Sequence, residues 1–319
     1  MSGVDFSEPM VSVSDLVMNY GGDKNAVDHL SFSVNQGEIY GLLGKNGAGK
    51  TTTIKILTTL LNQTSGIAKI DGMDVREKAW AIRKMIGVVQ QGESFDFTTV
   101  DRSFDIYALL WEVPRSQVTG RKEELIEFFD LGGIRKRRVF ELSGGEKKRL
   151  QVAREFMHDM KVLFLDEPTV GMDPIMRRDV LNYIKGKSKE GLTVIFTTHI
   201  LEEADYICNR IGMMNNGKLV AEGTSSKLKE NLGTLRKLII GSVTALTPSQ
   251  IKELRERLAS LDSSLEIEIE PKNIRIIGNR IARILTTVMS MLSELSIEID
   301  LVSIDNPSLD EVFLEVMKK

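Results

Sequence analysis

The stretch GLLGKNGAGKTTTIKIL, Gly41 to Leu57, decides the fold. It sets glycines and consecutive threonines between a strand-like run, EIYGLLG, and the start of a helix-like segment. A strand needs no such glycines to end, so they serve the backbone. The pattern G-x-x-x-x-G-K-[ST] fits Gly44, Gly49, Lys50 and Thr51. Backbone N–H groups of such a loop curl around an oxyanion, and the following helix aims its N-terminal partial positive charge at the same place. The expected cradle is Gly44, Lys45, Asn46, Gly47, Ala48 and Gly49, continued by Lys50, Thr51 and Thr52. In such a cradle Lys50 would reach the β- and γ-phosphates of a nucleotide, and the Thr51 hydroxyl would bind Mg²⁺. The competing reading is a tight strand-to-helix turn with no ligand.

Around this stretch the chain has 319 residues, 42% apolar and 27% charged, an ordinary globular composition with length for about two or three domains. The net charge of −3 argues against a dedicated nucleic-acid binder. The single cysteine, Cys208, excludes an internal disulfide and fits a reducing compartment. The sequence holds no apolar run of about 18 residues to cross a membrane. The start, MSGVDFSEPM, has neither the basic nor the apolar region of a signal peptide. The expected place is the cytoplasm, and any membrane role needs a separate partner chain.

VSVSDLVMNY and VDHLSFSV alternate apolar and polar residues as half-buried strands do, and GIAKIDG is another short strand. From about residue 98 to 160 the apolar residues take helical spacing, which marks an inserted helical region. KVLFLDEPT then reads as a buried strand ending in acids. A helix, the strand TVIFTT and the helix ILEEADYI follow, so strands and helices alternate as in a parallel α/β core. Asn216-Gly217 between apolar runs predicts a hairpin. The polar stretch Gly223–Thr234 reads as a domain boundary. Beyond it a βαββαβ pattern plus a last helix predicts a ferredoxin-like module. Its helices carry capping boxes at Thr247/Gln250 and Ser308/Glu311.

Two further motifs bear on chemistry. VLFLDEPT places Asp166 and Glu167 at the C-terminal end of a buried strand, where α/β sheets bind ligands. Asp166 suits the Mg²⁺ shell, and Glu167 is then free to orient and deprotonate a water. A pair of helix-capping acids is the alternative. LSGGE, Leu142 to Glu146, precedes a basic amphipathic helix. Ser143 is an apt N-cap, and Gly144 and Gly145 expose backbone N–H groups. Alone this is an ordinary cap. Beside the cradle it is a second anion-binding helix start, which one nucleotide can use if two chains pair head to tail.

These motifs together resemble an ATP-binding-cassette (ABC) ATPase over about residues 10–225. The resemblance rests on GKNGAGKT, LSGGE, VLFLDEPT, the GMDP turn at Gly171–Pro174 and TTHILEEAD, in that order. It implies an α/β P-loop NTPase with an antiparallel β subdomain and a helical subdomain, using ATP and Mg²⁺. It also implies that Gln91, with Gln90 as the neighbouring candidate, links Mg²⁺ and the attacking water to the helical region. Tyr20 occupies the position that stacks on adenine, with a strand-end core tyrosine as the alternative. His199 resembles the switch histidine at the γ-phosphate, and Asp173 is the acid retained in GMDP. Ser143, Gly144 and Gly145 would complete the nucleotide site of a second copy. His29 and His158 match no motif and read as structural or surface residues.

The signature departs from its commonest form by ending in Glu146 rather than glutamine, which suits a helix dipole but adds negative charge near a nucleotide. NPSLDEVFLEVMKK resembles the end of daunorubicin-type drug-resistance exporter ATPases, so residues 234–319 are expected to be an accessory domain. The function implied is the motor subunit of an ABC exporter, peripheral to the cytoplasmic face of the membrane through a membrane subunit. The alternative is a non-transport cassette in DNA repair or translation. The distance from Lys50 to Ser143 leaves no room for the long coiled coil of the repair proteins, and one cassette is present where translation factors carry two. The run Arg135–Arg138 is compatible with anionic lipid or a membrane partner, and equally with a solvated loop.

Overall fold

The computed structural model describes residues 8–92, 97–231, 236–262, 264–278, 281–305 and 308–317. In chain order it begins β1 (Val11–Met18), β2 (Val27–Val34), β3 (Ile39–Gly44), α1 (Lys50–Leu57), β4 (Ser65–Ile70), β5 (Met73–Asp74), α2 (Ala79–Arg83) and β6 (Ile86–Val89). The helical region follows as α3 (Val100–Leu110), α4 (Arg115–Phe128) and α5 (Gly144–Glu155). Then come β7 (Val162–Asp166), α6 (Pro174–Lys189), β8 (Thr193–Thr197), α7 (Leu201–Ile207), β9 (Arg210–Asn215) and β10 (Lys218–Gly223).

The half-apolar strands β1, β2, β4 and β5 form one antiparallel sheet in the order β2-β1-β4-β5. The other sheet has the order β10-β9-β3-β8-β7-β6, with the most apolar strands at its centre, and is parallel except for the edge strand β10. Strands β3, β7 and β8 are buried along their whole length, as a parallel sheet covered on both faces requires. Side chains alternate between the two faces. Along β7, Val162 and Phe164 join a core with the antiparallel sheet and α1, while Leu163 and Leu165 join a core with α3 to α6. The β9–β10 hairpin turns on Asn216 and Gly217, both at positive φ, as a two-residue loop of that composition demands.

The chain divides into two compact units between Thr224 and Ser225. This division falls inside the polar stretch read as a boundary, Gly223–Thr234, which also carries helix α8 (Ser225–Asn231), packed on the last helix of the second unit. A short helix with one buried apolar residue, Leu228, looks like a solvated linker in sequence. The expected domain start at residue 234 lies outside the described residues.

The second unit continues β11 (Arg236–Ser242), α9 (Pro248–Leu261), β12 (Glu266–Ile269), β13 (Asn273–Gly278), α10 (Ile281–Glu294), β14 (Ile299–Asp305) and α11 (Leu309–Val316). Its sheet is antiparallel throughout in the order β12-β13-β11-β14, the order of a ferredoxin-like βαββαβ module. Leu254 and Leu258 of α9 and Val288 and Leu292 of α10 bury against Leu238, Ile240, Ile274 and Ile276 of the sheet. Both expected capping boxes are present, at Thr247/Gln250 and Ser308/Glu311. No helix among the described residues is long and apolar enough to cross a membrane.

Candidate active site

The cradle needs its glycines for two separate reasons. Gly47 and Gly49 have φ of 80° and 104°, in the left-handed region. At Gly49 a Cβ would also lie 2.4 Å from the Ala26 carbonyl oxygen, so no larger residue fits. Helix α1 then starts with Gly49 as N-cap, no capping side chain and no acid in its first turn. Its leading N–H groups keep their partial positive charge. Lys50 is buried, and its Nζ donates to the carbonyl oxygens of Gly44 at 2.7 Å and Lys45 at 3.2 Å. Burial pushes its ammonium below the ordinary lysine value, and the charges of Glu167 and Asp166 offset only part of that. A phosphate in the cradle is the counter-charge that would restore it. Lys45, Asn46 and Gly47 are exposed at the rim. Tyr20 is 63% exposed, and its hydroxyl lies 3.3 Å from Thr52 Oγ1. An exposed ring beside a phosphate cradle is suited to stack on a base.

The acids at the end of β7 are held from three directions. Asp166 accepts hydrogen bonds from the hydroxyls of Thr51 at 3.0 Å and Thr197 at 2.5 Å. Glu167 has φ of 52°, unusual for a residue with a side chain, and its N–H donates to the Thr197 carbonyl at 3.1 Å and hydroxyl at 3.2 Å. The Glu167 carboxylate accepts from Gln91 Nε2 at 3.3 Å on one oxygen and lies 3.4 Å from His199 Nδ1 on the other. It is Gln91, not Gln90, whose side chain meets Glu167. Asp166, Thr51 and Gln91 offer the hard oxygen donors that Mg²⁺ takes, one carboxylate among them. Among the described residues no group of three or more His, Cys, Asp or Glu could hold a metal alone. Such a donor set fits an ion that arrives on phosphate oxygens.

Helix α5 starts at the signature. Ser143 is its N-cap in a complete capping box: Ser143 N–H donates to Glu146 Oε2 at 2.7 Å, and Glu146 N–H donates to Ser143 Oγ at 3.3 Å. Ser143 and Gly144 are exposed. Gly145 is pressed against the loop after Glu167, where a Cβ would lie 2.3 Å from the Gly171 carbonyl oxygen. Burial would raise the Glu146 carboxyl, but the Ser143 hydrogen bonds and the Arg137 guanidinium, 3.1 Å away, hold it below the ordinary glutamate value. Farther along α5, buried Lys148 donates to the carbonyls of Gln90 at 2.7 Å and Gln91 at 3.2 Å, and Gln151 donates to the carbonyl of Gly92 at 3.1 Å. In its last turn Glu155 accepts from Val88 N–H at 3.2 Å. One helix thus grips the whole approach to Gln91.

Asp173, expected with the nucleotide, is the N-cap of α6, with Pro174 at the first helical position. Its carboxylate accepts from the N–H groups of Met176 at 3.0 Å and Ile175 at 3.1 Å, which keep it below the ordinary aspartate value. Two members of the basic run are engaged within the chain: Arg135 pairs with Asp101 and Glu123, and Arg137 with Glu146. His29 is exposed beside Asp15, and His158 is buried and stacked on Trp111 at 3.9 Å. Thr197, Lys148 and Gln151 were not legible as site residues, because their partners lie far away in sequence.

Residues 27–170 match the family described as ABC transporter. The chain is 34% identical over 296 residues to the daunorubicin resistance ATP-binding protein DrrA3 of Streptomyces coeruleorubidus, covering 92% of each. It is 35% identical over 312 residues to the doxorubicin resistance ATP-binding protein DrrA of Mycobacterium tuberculosis, covering 95% of this chain and 92% of that one. Among solved structures, an ATP-binding subunit of an ABC transporter superposes with a TM-score of 0.66 at 24% identity, over 70% of this chain and 93% of that one. The cassette MJ0796, described as a dimer bound to ADP and Pi, superposes with a TM-score of 0.63 at 22% identity, over 67% of this chain and 98% of that one. A cradle, a capped signature and paired acids in this order, with relatives this similar along nearly the whole length, establish that the chain belongs to the family of ABC transporter ATPases.

Proposed function

We propose that this ATPase is the motor subunit of an exporter, working as a head-to-tail pair of chains beneath a separate membrane subunit. The observation that carries the chemistry is the convergence of Gln91 and His199 on the two oxygens of Glu167, directly behind the cradle. Lys50 and the leading N–H groups of α1 bind the phosphates of ATP, and Tyr20 stacks on its base. Glu167 takes the proton of the attacking water. Gln91 and His199 orient that carboxylate, and His199, exposed at the rim, faces the γ-phosphate. Mg²⁺, held by Thr51, Asp166 and Gln91, would neutralise charge developing between the β- and γ-phosphates.

Pairing is supported by what the first unit exposes. Ser143 and Gly144, Val170 and Ile175 around the GMDP turn, and the rim of the cradle all lie open. In the proposed pair, Ser143, Gly144 and Gly145 of one chain close over the nucleotide of the other, and Asp173 stands at the same seam. Differential affinity of ATP for the closed pair is what does work. A groove of about 350 Å³ lies beside the Gln91 loop, lined by Leu60, Tyr107, Leu110, Trp111 and Gln90. Its apolar wall and the presence in it of Gln90, the neighbour of Gln91, make it the seat we assign to a helix of the membrane subunit. The drug-resistance names of the relatives support export. The proposed place is the cytoplasmic face of the membrane.

The test is Glu167→Gln. The amide keeps the shape and cannot take a proton from water, so ATP binding persists, hydrolysis nearly stops and an ATP-bound dimer accumulates on a sizing column. Wild-type turnover in that variant removes Glu167 from the mechanism.

A further inference from the structure

We propose that Glu203 is a positioning residue for hydrolysis, a single buried carboxylate that ties the loop carrying Glu167 to the loop carrying His199. The inference rests on the roles given to Glu167 and His199 above. Glu202 and Glu203 adjoin in sequence and look alike there, yet Glu202 is exposed and Glu203 is 4% exposed. Leu201, Ala204 and Ile207 already supply the buried face of α7 with apolar side chains, so packing alone does not call for an acid. A carboxylate taken from water must be met by donors or a counter-charge, and Glu203 has two hydroxyl donors and one guanidinium beside it.

Their identity gives the inference its content. Glu203 Oε1 accepts from the Thr169 hydroxyl at 2.7 Å, and Thr169 lies two positions past Glu167. Glu203 Oε2 accepts from the Thr198 hydroxyl at 2.8 Å, and Thr198 adjoins His199. Arg177 of α6 stands with its Nε 3.4 Å from Oε1 and neutralises the charge. Thr198 Oγ1 also accepts the N–H of Ile200, so the turn into α7 is fixed at the same point. The two loops joined here are those whose side chains meet at 3.4 Å between His199 Nδ1 and Glu167 Oε1. Glu167 has a left-handed backbone, which persists only where its surroundings over-determine it. Thr197 fixes it from its N–H side, and Glu203, through Thr169, fixes it from the other. Without Glu203 both loops keep their chain path but lose the shared anchor that sets their separation.

The experiment uses the full chain and measures ATP binding and hydrolysis separately in Glu203→Gln, Glu203→Ala and Thr169→Val. Glu203→Ala lowers kcat by about 10- to 100-fold, the effect of a small misplacement of reacting groups, with ATP affinity unchanged. Glu203→Gln keeps the volume and can hydrogen-bond both threonines, and it recovers most of that loss. Thr169→Val cuts one of the two ties and lowers kcat about 5-fold; added to Glu203→Ala it costs no more than Glu203→Ala alone. If Glu203→Ala does not fold, Glu203→Gln and Thr169→Val carry the test, and wild-type kcat in Thr169→Val overturns the proposal. A parallel loss of ATP affinity in the folded variants also overturns it. A deep loss in Glu167→Gln with wild-type kcat in Glu203→Ala sinks the anchoring role and leaves Glu167 in place. Wild-type turnover in Glu167→Gln sinks both.

Discussion

Two helix starts in the first unit carry glycine-rich loops, and they are finished in opposite ways. Helix α1 begins on a left-handed glycine with no side-chain cap and no acid in its first turn. Helix α5 begins on Ser143 with its own capping box and Glu146 in its first turn. The first leaves its dipole for an anion brought from outside; the second satisfies much of its end from within. The same box closes α9 and α11 of the second unit. A signature of this form is therefore a stable helix start in its own right. In the proposed pair, that asymmetry suits a site whose strong half binds ATP first and whose weak half closes on it only when the second chain arrives.

The largest expected effect falls on the uncapped start. Lys50→Ala removes the charge-assisted contact to phosphate and lowers ATP affinity about 100-fold by equilibrium binding; unchanged affinity breaks the assignment of the strong half. At the capped start, Ser143→Asp retains a good N-cap, so thermal stability holds, yet it places a carboxylate against phosphate. ATPase activity falls about 10-fold by electrostatic repulsion, and in the wild type activity per chain rises with protein concentration. Full activity in Ser143→Asp, or specific activity flat across the dimer constant, breaks the head-to-tail reading.

The far end of α5 gives the next effect. Burial lifts the Glu155 carboxyl to about 7, against the Val88 N–H and Arg154, which pull it down. Its folded value lies above its unfolded one, so between about pH 4.5 and 7 the native state holds a proton that the unfolded state has released. Stability falls as pH rises through that window, and the penalty is complete above 7. Glu155→Gln, whose amide oxygen still accepts from Val88, gains about 1 to 3 kcal/mol over wild type at pH 8 and nothing at pH 4. A pH-independent difference in denaturant midpoint refutes this. The smallest effect is Glu146→Gln. The box survives with glutamine, the Arg137 pair is lost, and the change in stability stays within about 0.5 kcal/mol. Relief of negative charge beside the nucleotide raises ATPase activity about twofold; a fall in activity would show that the carboxylate has work in the signature beyond capping.

The cradle was legible because its glycines sit at spacings that backbone conformation alone dictates, and Gly49 meets Ala26 whatever ligand is present. The βαββαβ order was legible from alternation and from caps that are local by nature. What escaped is what contact across the chain creates. Lys148 and Gln151 sit on a basic helix and resemble a solvated face, yet they are buried against carbonyls of the Gln91 loop. Glu203 is indistinguishable from Glu202 until α7 is docked. Adjacent glutamines left the register open at Gln90 and Gln91; in the fold it is the Gln91 amide that donates to Glu167. Helix α8 escaped for the reverse reason: a polar segment earns a helix from a single buried leucine and a neighbour, α11, remote in sequence.

The grip of α5 on the Gln91 loop is made to main-chain oxygens. Lys148 and Gln151 hold carbonyls of Gln90, Gln91 and Gly92, which every amino acid possesses. The latch is therefore blind to mutation in what it holds. Side chains flanking Gln91 can change, and with them the groove beside the loop, while the main-chain path of the loop toward Glu167 keeps its anchors. The burden of constancy falls instead on two residues of the helix, where a single substitution would loosen every such variant at once.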